Sequence, residues 1–142
     1  MAVNRGRVFL GGLVGGVVWF IWSFVVNQFV ITEARYQAGQ KAGLFVSQPR
    51  YSFFVGQWFI ILLLASIILA YLYAWSRQTS GPGPGTALKI GLLVGFVASF
   101  PLNFSLATWS SMERIFPLGW MLDIWIGSIL ATLIAGFLYK DA

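Results

Sequence analysis

Only four side chains in this sequence of 142 residues carry a carboxylate: Glu33, Glu113, Asp123 and Asp141. Cys and His are both absent. Without Cys there is no disulfide, no thiolate metal site and no cysteine nucleophile. Without His, the usual axial ligand of haem-type macrocycles, the commonest zinc ligand and the commonest general base are all missing. A paired-carboxylate catalyst would need Glu33, Glu113 and Asp123 to converge beside Arg35 or Arg50, and nothing in their spacing demands it. These residues predict no metal site, no cofactor and no enzyme.

Polar groups set within long apolar stretches are a different matter. A polar side chain at depth in a bilayer costs free energy unless partnered, so such positions are functional candidates by default. They are Ser23 and Asn27 late in the first apolar stretch, Ser99 and Asn103 in the third, and Asp123 in the fourth. Pro101 lies between Ser99 and Asn103 and cannot donate to the Val97 carbonyl, which predicts a free acceptor and a kink. Such a kink would line a small polar cavity; the plainer alternative is hydrogen bonding between helices. Asp123 is expected roughly 7–8 Å below the start of its helix, where Arg114 or Arg50 would pair with it. Three roles stay open for it: an acid fixing helix orientation, a cation or proton site facing Asn103, or a contact to a partner protein.

The elements that position these residues follow from composition. Apolar residues make up 58% of the chain, charged residues 9%, and the mean hydropathy is +0.81. A soluble domain has about a quarter of its residues charged. Four stretches are long enough to cross a hydrocarbon core of roughly 30 Å, which takes about 20 helical residues. The predicted spans cover about 8–31, 52–75, 87–108 and 118–139. Tyr51, Trp75, Trp109, Trp120 and Tyr139 fall near these limits, where aromatic rings anchor helices at the membrane interface. Between the spans, 32–52 is expected to hold a short interfacial helix ended by Pro49, 77–86 (RQTSGPGPGT) an exposed non-helical turn, and 109–117 a tight turn. The net charge of +5 is scattered over every polar segment. Basic residues so placed anchor spans to lipid headgroups and do not track a phosphate backbone, so membrane lipid is the expected partner and nucleic acid is excluded.

Small residues at a spacing of four mark the faces that pack. Gly11 and Gly15 on the first span, Gly91 and Gly95 on the third, and Gly127 with Ala131 on the fourth form such rows. A shift of 80 residues lays 11–24 over 91–104 with seven of fourteen positions identical, and a shift of 66 lays 65–73 over 131–139. This predicts an all-α integral membrane protein: one four-helix bundle over 1–142, built as two tandem helical hairpins with halves 1–80 and 81–142.

The segments RVFLGGLVGG (7–16), GLLVGFVASFP (91–101) and ATLIAGFLYK (131–140) resemble small bacterial four-span proteins catalogued as domains of unknown function. The resemblance implies the topology and supplies no activity, cofactor or site; the expected location is a bacterial cytoplasmic membrane. With both termini cytoplasmic, five basic side chains lie inside and four outside. The leading functional expectation is a structural or accessory subunit of a homo-oligomer or larger membrane complex, motivated by the packing rows and by seven Trp residues. A small transporter or channel, and a binder of lipid, quinone or pigment, are the rivals.

Overall fold

The structure, a computed structural model, describes residues 3–141; Met1, Ala2 and Ala142, the ends of the expected domain, lie outside it. Five helices form in chain order: α1 (Arg5–Val25), α2 (Glu33–Lys41), α3 (Phe54–Ser80), α4 (Pro84–Trp109) and α5 (Ile115–Leu138). A π-helical segment, Val26–Ile31, prolongs α1. With that segment α1 is one of four helices long and apolar enough to cross a membrane, the others being α3, α4 and α5. The chain is an integral membrane protein with a four-helix bundle.

The helix ends show local chemistry at work. Asn4 caps α1, its Oδ1 accepting from the Arg7 amide at 3.2 Å. The interfacial helix α2 stops at Lys41, eight residues before Pro49. There Gly43 takes φ +76°, the Leu44 amide reaches the Gly39 carbonyl and the Gly43 amide reaches that of Gln40. This glycine closure ends the helix without help from proline. The expected turn 77–86 contracts to 81–83, because Arg77–Ser80 continue α3 and Pro84 occupies the first turn of α4, where its missing N–H has no helical partner to lose. Similarly, α5 begins at Ile115 and takes Pro117 into its first turn.

The four long helices enclose a rhombus. α5 packs against α1 and α4, α1 packs against α3, and α3–α5 is the short diagonal. Contact between α3 and α4 is the sparsest side, and among the described residues the α1 and α4 backbones do not approach each other. We call the end bearing Asn4, the 81–83 turn and Tyr139 the terminal end, and the opposite end the loop end.

At the terminal end the seams are made by small residues. A Cβ on Gly11 would lie 3.0 Å from the Ala135 Cα, and one on Gly15 would lie 2.7 Å from the Ala131 carbonyl oxygen. Gly12 and Gly16 sit against Ile67 and Leu63 of α3, while Gly91 meets Ile129, and Gly95 meets Ser128 and Trp125 of α5. Under the alignment of the halves, the Gly91–Ile129 contact corresponds to positions 11 and 63. In the first hairpin it is instead Gly12 that meets Ile67. The two hairpins thus pack in different register. Polar bonds supplement the α4–α5 seam: Ser128 Oγ donates to the Gly91 carbonyl at 2.9 Å and Trp125 Nε1 to that of Leu92 at 3.2 Å.

Candidate functional site

At the loop end the helices stand apart around a cavity of about 820 Å³. Its walls come from all four spans and from the 32–53 connection. They include Phe20, Ser23 and Asn27 of α1 and its π extension, Tyr36 of α2, Trp58 of α3, Asn103 and Leu106 of α4, and Trp120, Asp123 and Ile124 of α5. Most of this surface is aromatic or aliphatic, with a few convergent polar groups, the usual composition of a site for a small apolar molecule.

Asp123 is the centre of the polar part. It lies eight residues into α5, about 12 Å along the axis at 1.5 Å per residue. That is deeper than a helix starting at 118 would place it. Only 2% of it is exposed. No arginine pairs with it: Arg50 and Arg114 are exposed, and the ion pairs among the described residues are Arg35–Glu113 at 2.7 Å and Arg77–Asp141 at 2.9 Å. The Ser23 hydroxyl takes the expected arginine's place, donating to Asp123 Oδ2 at 2.6 Å. Trp58 Nε1 in turn donates to Ser23 Oγ at 3.0 Å.

A second chain of bonds joins this pair from the loop side. Trp120 Nε1 donates to the Tyr36 hydroxyl at 3.1 Å, Tyr36 donates to Asn27 Oδ1 at 3.1 Å, and Asn27 Nδ2 donates to the Ser23 carbonyl at 2.9 Å. Backbone shape puts Tyr36 there. The π segment closes with the Thr32 amide on the Asn27 carbonyl at 3.0 Å, and Thr32 adopts φ +70°. A β-branched residue in that left-handed region is held there against its own preference. The resulting sharp reversal carries α2 back over Asn27 and Trp120. Burial pushes the Tyr36 phenol above its ordinary value near 10, the Trp120 bond opposes this, and the Asp123 charge adds to it.

Three buried side-chain polar atoms lack a hydrogen-bond partner among the described residues: Trp19 Nε1, Ser66 Oγ and Asp123 Oδ1. Trp19 lies against Gly127 with its indole turned toward the Asp123 carboxyl, and Ser66 lies against Gly15 within the packed seam. Asp123 alone of the three lines the cavity.

Of the five polar residues singled out in the sequence, Ser23, Asn27, Asn103 and Asp123 thus border one space, and Ser99 does not. Ser99 Oγ donates to the Gly95 carbonyl at 2.6 Å and Asn103 Nδ2 to the Ser99 carbonyl at 2.8 Å, both within α4. These are bonds back to the preceding turn, not bonds between helices. α4 runs unbroken through Pro101, and both Pro101 and Val97 (73% exposed) are on its outward face. The acceptor that the proline frees is therefore turned away from the cavity.

The boundary aromatics divide. Tyr51, Trp75 and Trp109 are exposed. Trp120 turns into the cavity wall, and Tyr139, 7% exposed, packs on Tyr73 beneath Arg77 while its oxygen accepts the Asn4 amide at 3.1 Å. Tyr36 and Trp58 were not singled out from sequence. Tyr36 sits in a polar connection and Trp58 in a uniformly apolar span, and neither position carries a periodic signal. Among the described residues no three of His, Cys, Asp and Glu gather, and Glu113 is held on the surface by Arg35. Comparison with family models, with curated proteins and with solved structures finds no match for this chain.

Proposed function

We propose that this protein binds a small apolar molecule with a polar head in the cavity at its loop end, taking it up from the bilayer. The observation that carries the proposal is Asp123, a buried carboxyl group with no cationic partner among the described residues, in the walls of a largely apolar space of about 820 Å³. Pockets that hold small molecules run from about 300 to 1,000 Å³. A buried carboxylate is costly unless it is paired and hydrogen-bonded. The sparse α3–α4 side gives a lateral way in for a molecule already dissolved in lipid. In this reading the protein sits in a bacterial cytoplasmic membrane with both termini inside and the cavity toward the outer face.

The other two expectations draw on less. Trp22, Trp58, Trp120 and Trp125 each donate an indole N–H within the bundle and Trp19 is buried, so the abundance of Trp needs no partner subunit. A transport pathway would need continuity to the terminal end, where Gly11 and Gly15 close directly on Ala135 and Ala131.

The test is extraction of the protein from its native membrane in mild detergent, followed by analysis of the organic-soluble material that stays with it. One apolar species in near-stoichiometric amount is expected, and it should be depleted from Leu106→Trp, which fills the cavity. Recovery of bulk phospholipid alone, in the same proportions from both forms, would refute the proposal.

A further inference from the structure

The charge of the site narrows what its occupant is. Asp123 is the only Asp, Glu, Lys or Arg residue among the cavity's walls. The basic residues on the loop side do not line it: Arg35 holds Glu113 at 2.7 Å, and Lys41, Arg50 and Arg114 are exposed. Ser23 donates to one carboxylate oxygen and the Trp19 indole is turned toward the carboxyl, but both are neutral and no cation among the described residues pairs with it. Around it stand the rings of Phe20, Tyr36, Phe45, Trp58 and Trp120. Ring faces carry negative potential and attract cations, most strongly where water is excluded. A buried acid needs a countercharge, and an anion or a phosphate brought into the same space would be repelled by it.

Building on the binding reading above, we infer that the occupant is a lipophilic amine: a protonated nitrogen paired with the Asp123 carboxylate within the aromatic walls, with an apolar body filling the rest of the cavity. An alcohol of the same size would make one neutral-donor bond and leave the carboxylate's charge uncompensated. A fatty acid would add a second negative charge. Both amine and alcohol would make a charge-assisted bond to the carboxylate, but only the amine cancels its charge in a space of low dielectric, which sets the expected selectivity at about tenfold or more.

Native mass spectrometry of the full chain in micelles, with dodecylamine, dodecanol or dodecanoate added at equal mole fraction near neutral pH, tests this. Amine adducts are expected at about tenfold the alcohol level or more, with fatty acid lower still, and Asp123→Asn should bring amine down to the alcohol level while leaving alcohol unchanged. The amine-to-alcohol ratio in the unmodified protein is decisive even if Asp123→Asn fails to fold. Equal amine and alcohol occupancy, both lost in Leu106→Trp, would overturn the amine assignment and leave the apolar site standing. A preference for amine that survives in folded Asp123→Asn would overturn the role given to Asp123. No adduct with any probe, or adducts indifferent to Leu106→Trp, would overturn the binding reading as well.

Discussion

The same four helices close at one end of the bundle and part at the other. In its first half α1 presents Gly11, Gly12, Gly15 and Gly16, all buried, to α3 and α5; in its second half it presents Trp19, Phe20 and Trp22. α4 repeats the change, from Gly91 and Gly95 to Phe100 and Leu106. α5 runs the other way and meets them in kind, with Ala131 and Ala135 at the terminal end and Trp120 at the loop end. Lipid offers no hydrophobic force to squeeze helices together, so backbone approach is set by side-chain size. Where glycine faces alanine, the helices touch. Where indoles and phenyl rings intervene they are held apart, and the polar groups between them must find partners among themselves. This teaches that the cavity is a product of bulk, and its chemistry a product of the few polar residues the bulk surrounds.

The comparison breaks most sharply at Gly15. Gly15→Leu at the closed end drives a side chain into the Ala131 backbone, which cannot yield. A loss of about 3 kcal/mol or more is expected from overpacking, read as a lower midpoint when the protein is unfolded by denaturing detergent. Leu106→Trp at the open end adds comparable bulk yet should change stability by less than about 1 kcal/mol, because it enters empty space. Equal damage from the two would erase the distinction between the ends.

A smaller effect is expected at Ser23. Ser23→Ala removes the donor to Asp123 Oδ2 and the acceptor for Trp58. The cost should be about 1–2 kcal/mol by the same unfolding assay, the upper range for hydrogen bonds between membrane helices. A neutral result would mean that the polar network does not tie α1 to α5.

The smallest change is at Tyr36. Tyr36→Phe breaks the link between Trp120 and Asn27 and should cost about 0.5–1.5 kcal/mol. Its pH dependence sharpens the test. Burial raises the folded Tyr36 pKa above its unfolded value near 10, so the folded state holds this proton more tightly. The resulting stability is complete below that unfolded value and is lost as pH rises through the folded one. Denaturation followed above pH 10 should show a fall in stability that Tyr36→Phe lacks; identical profiles would place the phenol outside the buried network.

How much of this was legible beforehand depends on distance along the chain. The glycine and alanine rows point at their neighbours through a spacing that any helix enforces, and Gly11, Gly15, Gly91, Gly95, Gly127 and Ala131 all lie on faces that meet another helix or its side chains. Ser23, Asn27, Asn103 and Asp123 were visible as polar groups among apolar ones. Their joint placement was not, nor was the replacement of arginine by serine at Asp123, because pairing across helices depends on rotation and register. Tyr36 illustrates the limit. Nothing in TEARYQAGQK announces that its tyrosine returns to the bundle, since the reversal is made by a π segment and one strained threonine.

By itself the sequence determined the solvent of this protein, the number of its crossings and the seams along which they touch. Hydropathy and four-residue spacing are properties of single helices, and a bilayer leaves isolated apolar segments no other form than a helix. Tertiary structure decided which side of the rhombus stays open, where the indole N–H groups point, and that a carboxyl group borders a largely apolar hollow with no cation among the described residues paired to it. Those outcomes depend on how bulky and small faces from different helices are turned toward one another, and that turning is fixed only when all four pack together.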